Sequence, residues 1–172
     1  ALTAGALLGL SGAILQTITR NPLADPGRMG VSSGAVLAIV LFIVTDASGS
    51  IWQGVVSGLA LPLVGMVGGI ASGMLVYLLS YQRGTVGGTD PMRLVLVGVL
   101  VAGINSAFIS VVLLAARADE IQRVIRWTVG STSGRVWVHW DTIWPVAALA
   151  VPLGLLSIGL ANVLQLGDVL DC

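Results

Sequence analysis

Lysine is absent from the 172-residue chain, glutamate and histidine occur once each, and the lone cysteine is the last residue, Cys172. One cysteine excludes an intrachain disulfide. Charged residues make up 9%, where a soluble domain carries about 25%. With 56% apolar residues and a mean hydropathy of +0.99, the chain has too little polar surface to cover a water-soluble particle. Arginines and carboxylates balance to a net charge of +0, so nothing points to nucleic acid or to an acidic substrate. What remains is an integral membrane protein.

Charge placement sharpens this reading. The charges leave five long uncharged runs, at 1–19, 29–45, 47–82, 94–116 and 142–167. A helix needs about 20 apolar residues to cross the hydrocarbon core. The runs predict an all-α, polytopic membrane helix bundle forming one partial transmembrane domain. Its spans are expected near 1–19, 29–45, 55–79, 93–116 and 142–163, with an extracytoplasmic turn over Gly49 to Gly54. Inside those spans stands no carboxylate, lysine or histidine, so a proton-coupled carrier lacks its proton-bearing group.

Glycine, by contrast, is plentiful at 23 residues, nearly twice the ordinary share of about 7%. Glycines recur four apart at Gly5/Gly9, Gly30/Gly34, Gly54/Gly58 and Gly65/Gly69/Gly73. Small residues at that spacing let helices in lipid approach backbone to backbone, which predicts a tightly packed bundle. On the first span Gly5, Gly9, Gly12 and Gln16 share one helical face. A glutamine there is expected to hydrogen-bond across to another helix. Asn105, mid-span beside Gly103 and Ser106, reads the same way.

Between spans the punctuation is explicit. Pro22 and Pro26 remove backbone donors and push Asn21 and Asp25 out of the helical region, so the first helix stops there. Leu23 and Ala24 between the prolines make this a turn packed on protein rather than a solvated loop. Ser32 and Ser33 are candidate caps of the second span. Residues 83–93 form a glycine-rich hinge, with Thr89 or Asp90 as N-cap and Pro91 at the first helical position. Gly84, Gly87 and Gly88 are not a phosphate loop, because no Gly-Lys-Ser/Thr follows. Over approximately 118–128, pairs at helical spacing (Asp119/Arg123, Glu120/Arg123, Gln122/Arg126) oppose Ile121, Val124 and Ile125, which predicts an amphipathic interfacial helix. Trp137, Trp140 and Trp144 then form an aromatic belt. Arginines divide evenly between the two sets of loops, so charge bias gives no orientation.

An enzymatic alternative starts from Gly9-Leu-Ser-Gly12, which resembles the nucleophile motif of rhomboid intramembrane serine proteases. It requires a base near Ser11. The single histidine, His139, lies at a membrane edge between Trp137 and Trp140, so Ser11 reads better as a small packing residue.

The run Gly9-Leu-Ser-Gly-Ala-Ile-Leu-Gln16, then Arg20-Asn-Pro-Leu-Ala-Asp-Pro-Gly27, then Gly30-Val-Ser-Ser-Gly-Ala35 resembles the signature of the FecCD family. These are permease subunits of ATP-driven importers for iron–siderophores, haem and vitamin B12. The likeness continues through Arg93–Gly98, Arg126–Ser131, Trp137 and Leu164–Asp168. It implies the type II ABC importer permease fold, first inverted repeat only, with this chain resembling helices two to six. The family signature and packing residues are then Gly9, Gly12, Gln16, Asn21, Pro22, Asp25, Pro26, Gly30 and Gly34. Thr89, Asp90, Pro91 and Met92 resemble the inner gate loop, and Leu166, Gly167 and Asp168 the start of the element that couples to the ATPase.

The resemblance further implies a transport permease without catalytic residues, metal or cofactor, in the bacterial plasma (inner) membrane. Expected partners are an ATP-binding cassette ATPase subunit, a second permease copy or homologue, and an extracytoplasmic substrate-binding protein. After Leu-Gly-Asp the sequence departs from the family pattern, reading Val169-Leu-Asp-Cys172, and it starts inside an apolar helix at Ala1. Both ends predict a piece of a longer permease, with a truncated, inactive remnant as the alternative.

Overall fold

A computed structural model describes residues 2–19, 21, 24, 25, 27, 29–45, 60–82, 88, 89, 91–130 and 144–157. The helices are α1 (Leu2–Thr19), α2 (Val31–Thr45), α3 (Ala60–Ser80), α4 (Pro91–Ala115), α5 (Ala118–Val129) and α6 (Trp144–Ser157). Pro91 opens α4, where its fixed φ suits the helix and its missing N–H costs nothing. Between α3 and α4 the expected hinge is a minimal antiparallel ladder: β1 (Tyr81–Gln82) pairs with β2 (Gly88–Thr89), Tyr81 opposite Thr89. Thr89, one of the two candidate caps of α4, sits in this β pairing, and Asp90, the other, lies outside the described residues.

By length and composition, Leu61–Ser80 and Pro91–Ala115 can each cross a bilayer; α1, α2 and α6 are apolar but shorter. A core helix of a soluble protein is mostly covered by protein, whereas only 28% and 17% of the most apolar windows of α3 and α4 are buried. Leu63, Val67, Ile70, Leu96, Leu100 and Phe108 stand open on them. Water would penalise that surface by roughly 25 cal/mol per Å², and lipid would not.

The chain divides into two compact units: residues 1–26 with 134–172, and residues 27–133. In the first, α1 meets α6 where Leu10 lies against Gly154; a Cβ built on Gly154 would come within 2.9 Å of Leu10 Cγ. In the second, Ile39, Val40 and Ile43 of α2 form a core with Val124 of α5, packed around by Val36, Leu61, Val64, Ile109, Val112 and Leu113. Here α5 buries Val124, while Ile125 remains half exposed. Its acidic first turn is used locally: Glu120 Oε2 accepts from the Arg117 backbone N–H at 2.9 Å, and Asp119 pairs with Arg117 at 3.6 Å. The expected pairs of Asp119 and Glu120 with Arg123 are absent among the described residues, since both carboxylates turn toward the helix start, where the dipole favours negative charge.

The closest helix approach is α2 on α3. A Cβ on Gly34 would lie 2.9 Å from the Gly68 carbonyl oxygen and against Ser72 Cβ; one on Gly68 would lie 2.6 Å from the Gly34 carbonyl and against Ala38 Cβ. Only glycine allows these backbones to touch.

Candidate functional site

The polar centre of the second unit is built on Gly30. Its φ of +83° is a conformation that side-chain-bearing residues rarely adopt, and it aims the Gly30 carbonyl inward at the start of α2. Space for this turn comes from α4: a Cβ on Gly98 would lie 3.0 Å from Met29 Cα, and one on Gly30 would lie 3.2 Å from the Gly98 carbonyl. Three donors converge on the Gly30 oxygen: the Gly34 N–H at 2.9 Å, the Ser33 hydroxyl at 2.9 Å and the Ser72 hydroxyl at 2.8 Å. From α4, the Asn105 amide nitrogen donates to Ser33 Oγ at 3.0 Å and to Ser72 Oγ at 3.2 Å. One side-chain amide thus clasps three helices. Each hydroxyl donates once and accepts once, which leaves neither its hydrogen nor its oxygen without a partner where water is scarce.

No group in this cluster is a base, a nucleophile with a base, or a metal ligand. Among the described residues no cluster of three His, Cys, Asp or Glu side chains occurs. The arrangement sets helix positions rather than performing bond chemistry. Gly30→Ala is expected to lower the stability of the protein by about 1–2 kcal/mol, the cost of a left-handed non-glycine residue. The readout is the apparent melting midpoint of the full-length protein in detergent; an unchanged midpoint would mean that the left-handed turn at Gly30 does not hold the clasp.

The sequence-derived site residues are distributed unevenly. Gly30 and Gly34 lie in the clasp and in the helix crossing. Gly9 and Gly12 sit on α1, with open space where their Cβ atoms would be. Gln16, expected to reach another helix, instead points its amide nitrogen at the Ala24 carbonyl, 3.5 Å away in the turn that follows its own helix. The chain reverses at once after α1: Asn21 N–H donates to Gln16 O at 3.2 Å and Ala24 N–H to Asn21 O at 3.1 Å. That reversal brings the Ala24 carbonyl within reach, and Ala24 itself is buried. Asn21 and Asp25 are exposed beside it, while Pro22 and Pro26 lie outside the described residues.

In the gate-loop candidate, Pro91 and Met92 are exposed at the start of α4, and Arg93 donates to the Leu79 carbonyl at 3.4 Å across the α3–α4 junction. Asp90, the coupling candidates Leu166, Gly167 and Asp168, and His139 fall outside the described residues. Ser11 is exposed and donates to the Leu8 carbonyl of its own helix at 2.9 Å.

One participant is missing from the sequence reading, and another takes a different role. Ser72 stands four residues after Gly68, a small-residue spacing visible once serine is counted with glycine. Ser33, expected as a cap, donates backward to Gly30 O and accepts from Asn105 instead.

The model of the FecCD transport family matches residues 1–171. The chain is 35% identical over 98% of its length to the iron(3+)-hydroxamate import system permease protein FhuG of Bacillus subtilis, covering 49% of that protein. To the ferric enterobactin transport system permease protein FepG of Escherichia coli it is 33% identical over 100% of its length and 48% of the relative. The vitamin B12 import system permease protein BtuC of Klebsiella pneumoniae is 31% identical over 96% of the chain and 49% of the relative. The chain spans about half the length of the curated relatives it matches. Among solved structures, an inward-facing metal-chelate type ABC transporter superposes with a TM-score of 0.69 at 27% identity, over 86% of this chain and 43% of that one.

Proposed function

The chain belongs to the FecCD transport family, and from that premise we propose that it forms helices two to six of a permease subunit in an ATP-driven importer of iron–siderophore complexes. The observation that carries this reading is the unbroken family match over residues 1–171. Iron–siderophore is preferred as cargo because the relatives at 35% and 33% identity are named for iron hydroxamate and ferric enterobactin, against 31% for the vitamin B12 relative.

In this reading the subunit does no covalent chemistry. The clasped helices hold one wall of a membrane pathway, Thr89 to Met92 form part of its inner gate, and Leu166 to Asp168 begin the contact with a separate ATPase subunit. A second permease copy or homologue and an extracytoplasmic binding protein complete the importer, in the bacterial inner membrane. Inverted repeats place such a pathway at their mutual interface, so one repeat cannot enclose it alone. The second reading, a truncated inactive remnant, rests on the coverage of about half of each relative.

Two measurements separate these readings. An antibody against residues 117–141 is expected to detect, in source membranes, a band near twice the 17.6 kDa of this chain. A band at 17.6 kDa favours the remnant. In proteoliposomes with the ATPase and binding protein, the full-length product is expected to accumulate ferric siderophore on addition of ATP, and the 172-residue chain alone to accumulate none. Substrate-dependent uptake by the isolated chain would overturn the half-permease assignment.

A further inference from the structure

In the second unit, an open apolar groove of about 500 Å³ runs between α2 and α3 and is lined also by Trp127 from α5. Its walls include Val31, Ala35, Gly65, Met66 and Ile70. At Gly65 a Cβ would stand in ordinary contact with the Trp127 six-membered ring, at 3.7 Å, and 2.9 Å from Ile39 Cδ1. The groove walls are open to the surroundings: Ile70 is 62% exposed and Met66 45%.

What singles out this groove is the charge beside it. Arg123 precedes Trp127 by four residues and so lies on the same face of α5, with Arg126 one turn along. Both guanidiniums are exposed, and among the described residues neither has a carboxylate partner. The acids that helical spacing offers them are already committed, Asp119 to Arg117 and Glu120 to the Arg117 backbone. The amphipathic helix that contributes Trp127 to the apolar trough thus presents two exposed arginines.

We propose that this groove is a binding site for an anionic phospholipid, with an acyl chain along Ala35, Met66 and Ile70 and the headgroup phosphate on Arg123 and Arg126. Each part matches one part of the lipid: the trough has almost no polar lining, a tryptophan prefers the level of the headgroups, and guanidinium forks match phosphate oxygens in geometry and charge. A zwitterionic lipid offers the same chain but brings its own cation to the arginines. The site is therefore selective for net negative charge and not a general annular contact. This inference needs only that the chain sits in a bilayer; it is independent of the transport reading, and its test does not measure transport.

The test is tryptophan quenching in vesicles of phosphatidylcholine and phosphatidylglycerol, one of the two carrying mid-chain bromines, with the full-length protein. The Trp127 signal is the difference between that protein and W127F. Phosphatidylglycerol is expected to outcompete phosphatidylcholine at Trp127 by roughly fivefold for each arginine engaged. In R123Q/R126Q the preference falls to about one, while quenching by brominated phosphatidylcholine persists and shows that the groove is intact. Equal quenching by both lipids in the unmodified protein overturns the site, as does a preference that survives R123Q/R126Q. Absence of Trp127 quenching by either lipid also overturns it, because the groove is then filled by protein, either another segment of the full-length chain or a second copy.

Discussion

Gly68→Leu in the full-length permease is expected to leave little folded protein in the membrane and, on the proposed importer reading, no measurable ferric siderophore uptake. The crossing of α2 and α3 places backbone on backbone: a bare Cβ at residue 68 already comes 2.6 Å from the Gly34 carbonyl oxygen and meets Ala38 Cβ. Neither neighbour is the flexible end of a side chain, so the helices must part. Overpacking a soluble core costs about 1–3 kcal/mol. In lipid the parted faces incur no hydrophobic penalty, so little pulls them together again.

Separation would also draw Ser72 from the Gly30 carbonyl, now 2.8 Å away, adding the loss of a hydrogen bond worth about 0.6–2 kcal/mol in a membrane. The comparison variant is Gly103→Ala on α4, where a Cβ meets nothing within 4 Å. It should yield near-normal amounts of monodisperse protein by size-exclusion chromatography. Equal recovery of Gly68→Leu and Gly103→Ala would remove the α2–α3 crossing from the energetics of the fold.

The same crossing shows how far sequence reading reaches. Glycine spacing marks Gly30/Gly34 and Gly65/Gly69/Gly73 as contact positions, and Gly34 is one. On α3 the marked row does face α2, with Gly65 against Ile39 and Gly69 and Gly73 against Val31, but the backbone-to-backbone approach to Gly34 is made one position along, at Gly68 and Ser72. α2 and α4 are apolar all round, so no periodic stripe indicates which face turns inward. In lipid the choice is made by the partner's shape, and that information lies in another segment.

Where polarity varies along a helix, the sequence is more legible. α5 runs Ala118–Val129 beside an expected interfacial helix of 118–128, and Val124 of its apolar face is the residue buried against α2. Its ion pairs were not legible, because spacing permits Asp119 and Glu120 several partners and only the folded backbone offers them the Arg117 end. Gln16 illustrates the same limit. A polar residue on a glycine face demands an acceptor, and the sequence does not say that this acceptor is the Ala24 carbonyl, eight residues along the chain.

Asn105→Ala is expected to destabilise the permease by about 1–3 kcal/mol, two interhelical hydrogen bonds at about 0.6–1.7 kcal/mol each. Asn105→Asp should cost more at neutral pH. Asn105 supplies donors, and both hydroxyls it meets already donate to Gly30 O, so a carboxylate in its place faces two oxygens with their hydrogens committed elsewhere. A charge within a span adds a penalty of about 2.5–3.5 kcal/mol. The order of apparent melting midpoints is therefore wild type, then Asn105→Ala, then Asn105→Asp.

Double-mutant cycles assign the clasp to its individual bonds. Pairing Asn105→Ala with Ser33→Ala, and separately with Ser72→Ala, should give a coupling energy in each cycle, because Asn105 reaches both hydroxyls at 3.0 and 3.2 Å. If the clasp were incidental to packing, both cycles would be additive and Asn105→Leu, apolar and similar in size, would match the wild type. Coupling in the Ser72 cycle alone would mean that Asn105 holds α4 to α3 and that Ser33 serves only the start of α2. Because α4 begins at Pro91, itself a gate-loop candidate, the proposed importer reading further predicts that a loosened clasp slows ATP-driven uptake more than it lowers the amount of folded protein. A loss of uptake strictly proportional to the loss of protein would confine Asn105 to stability.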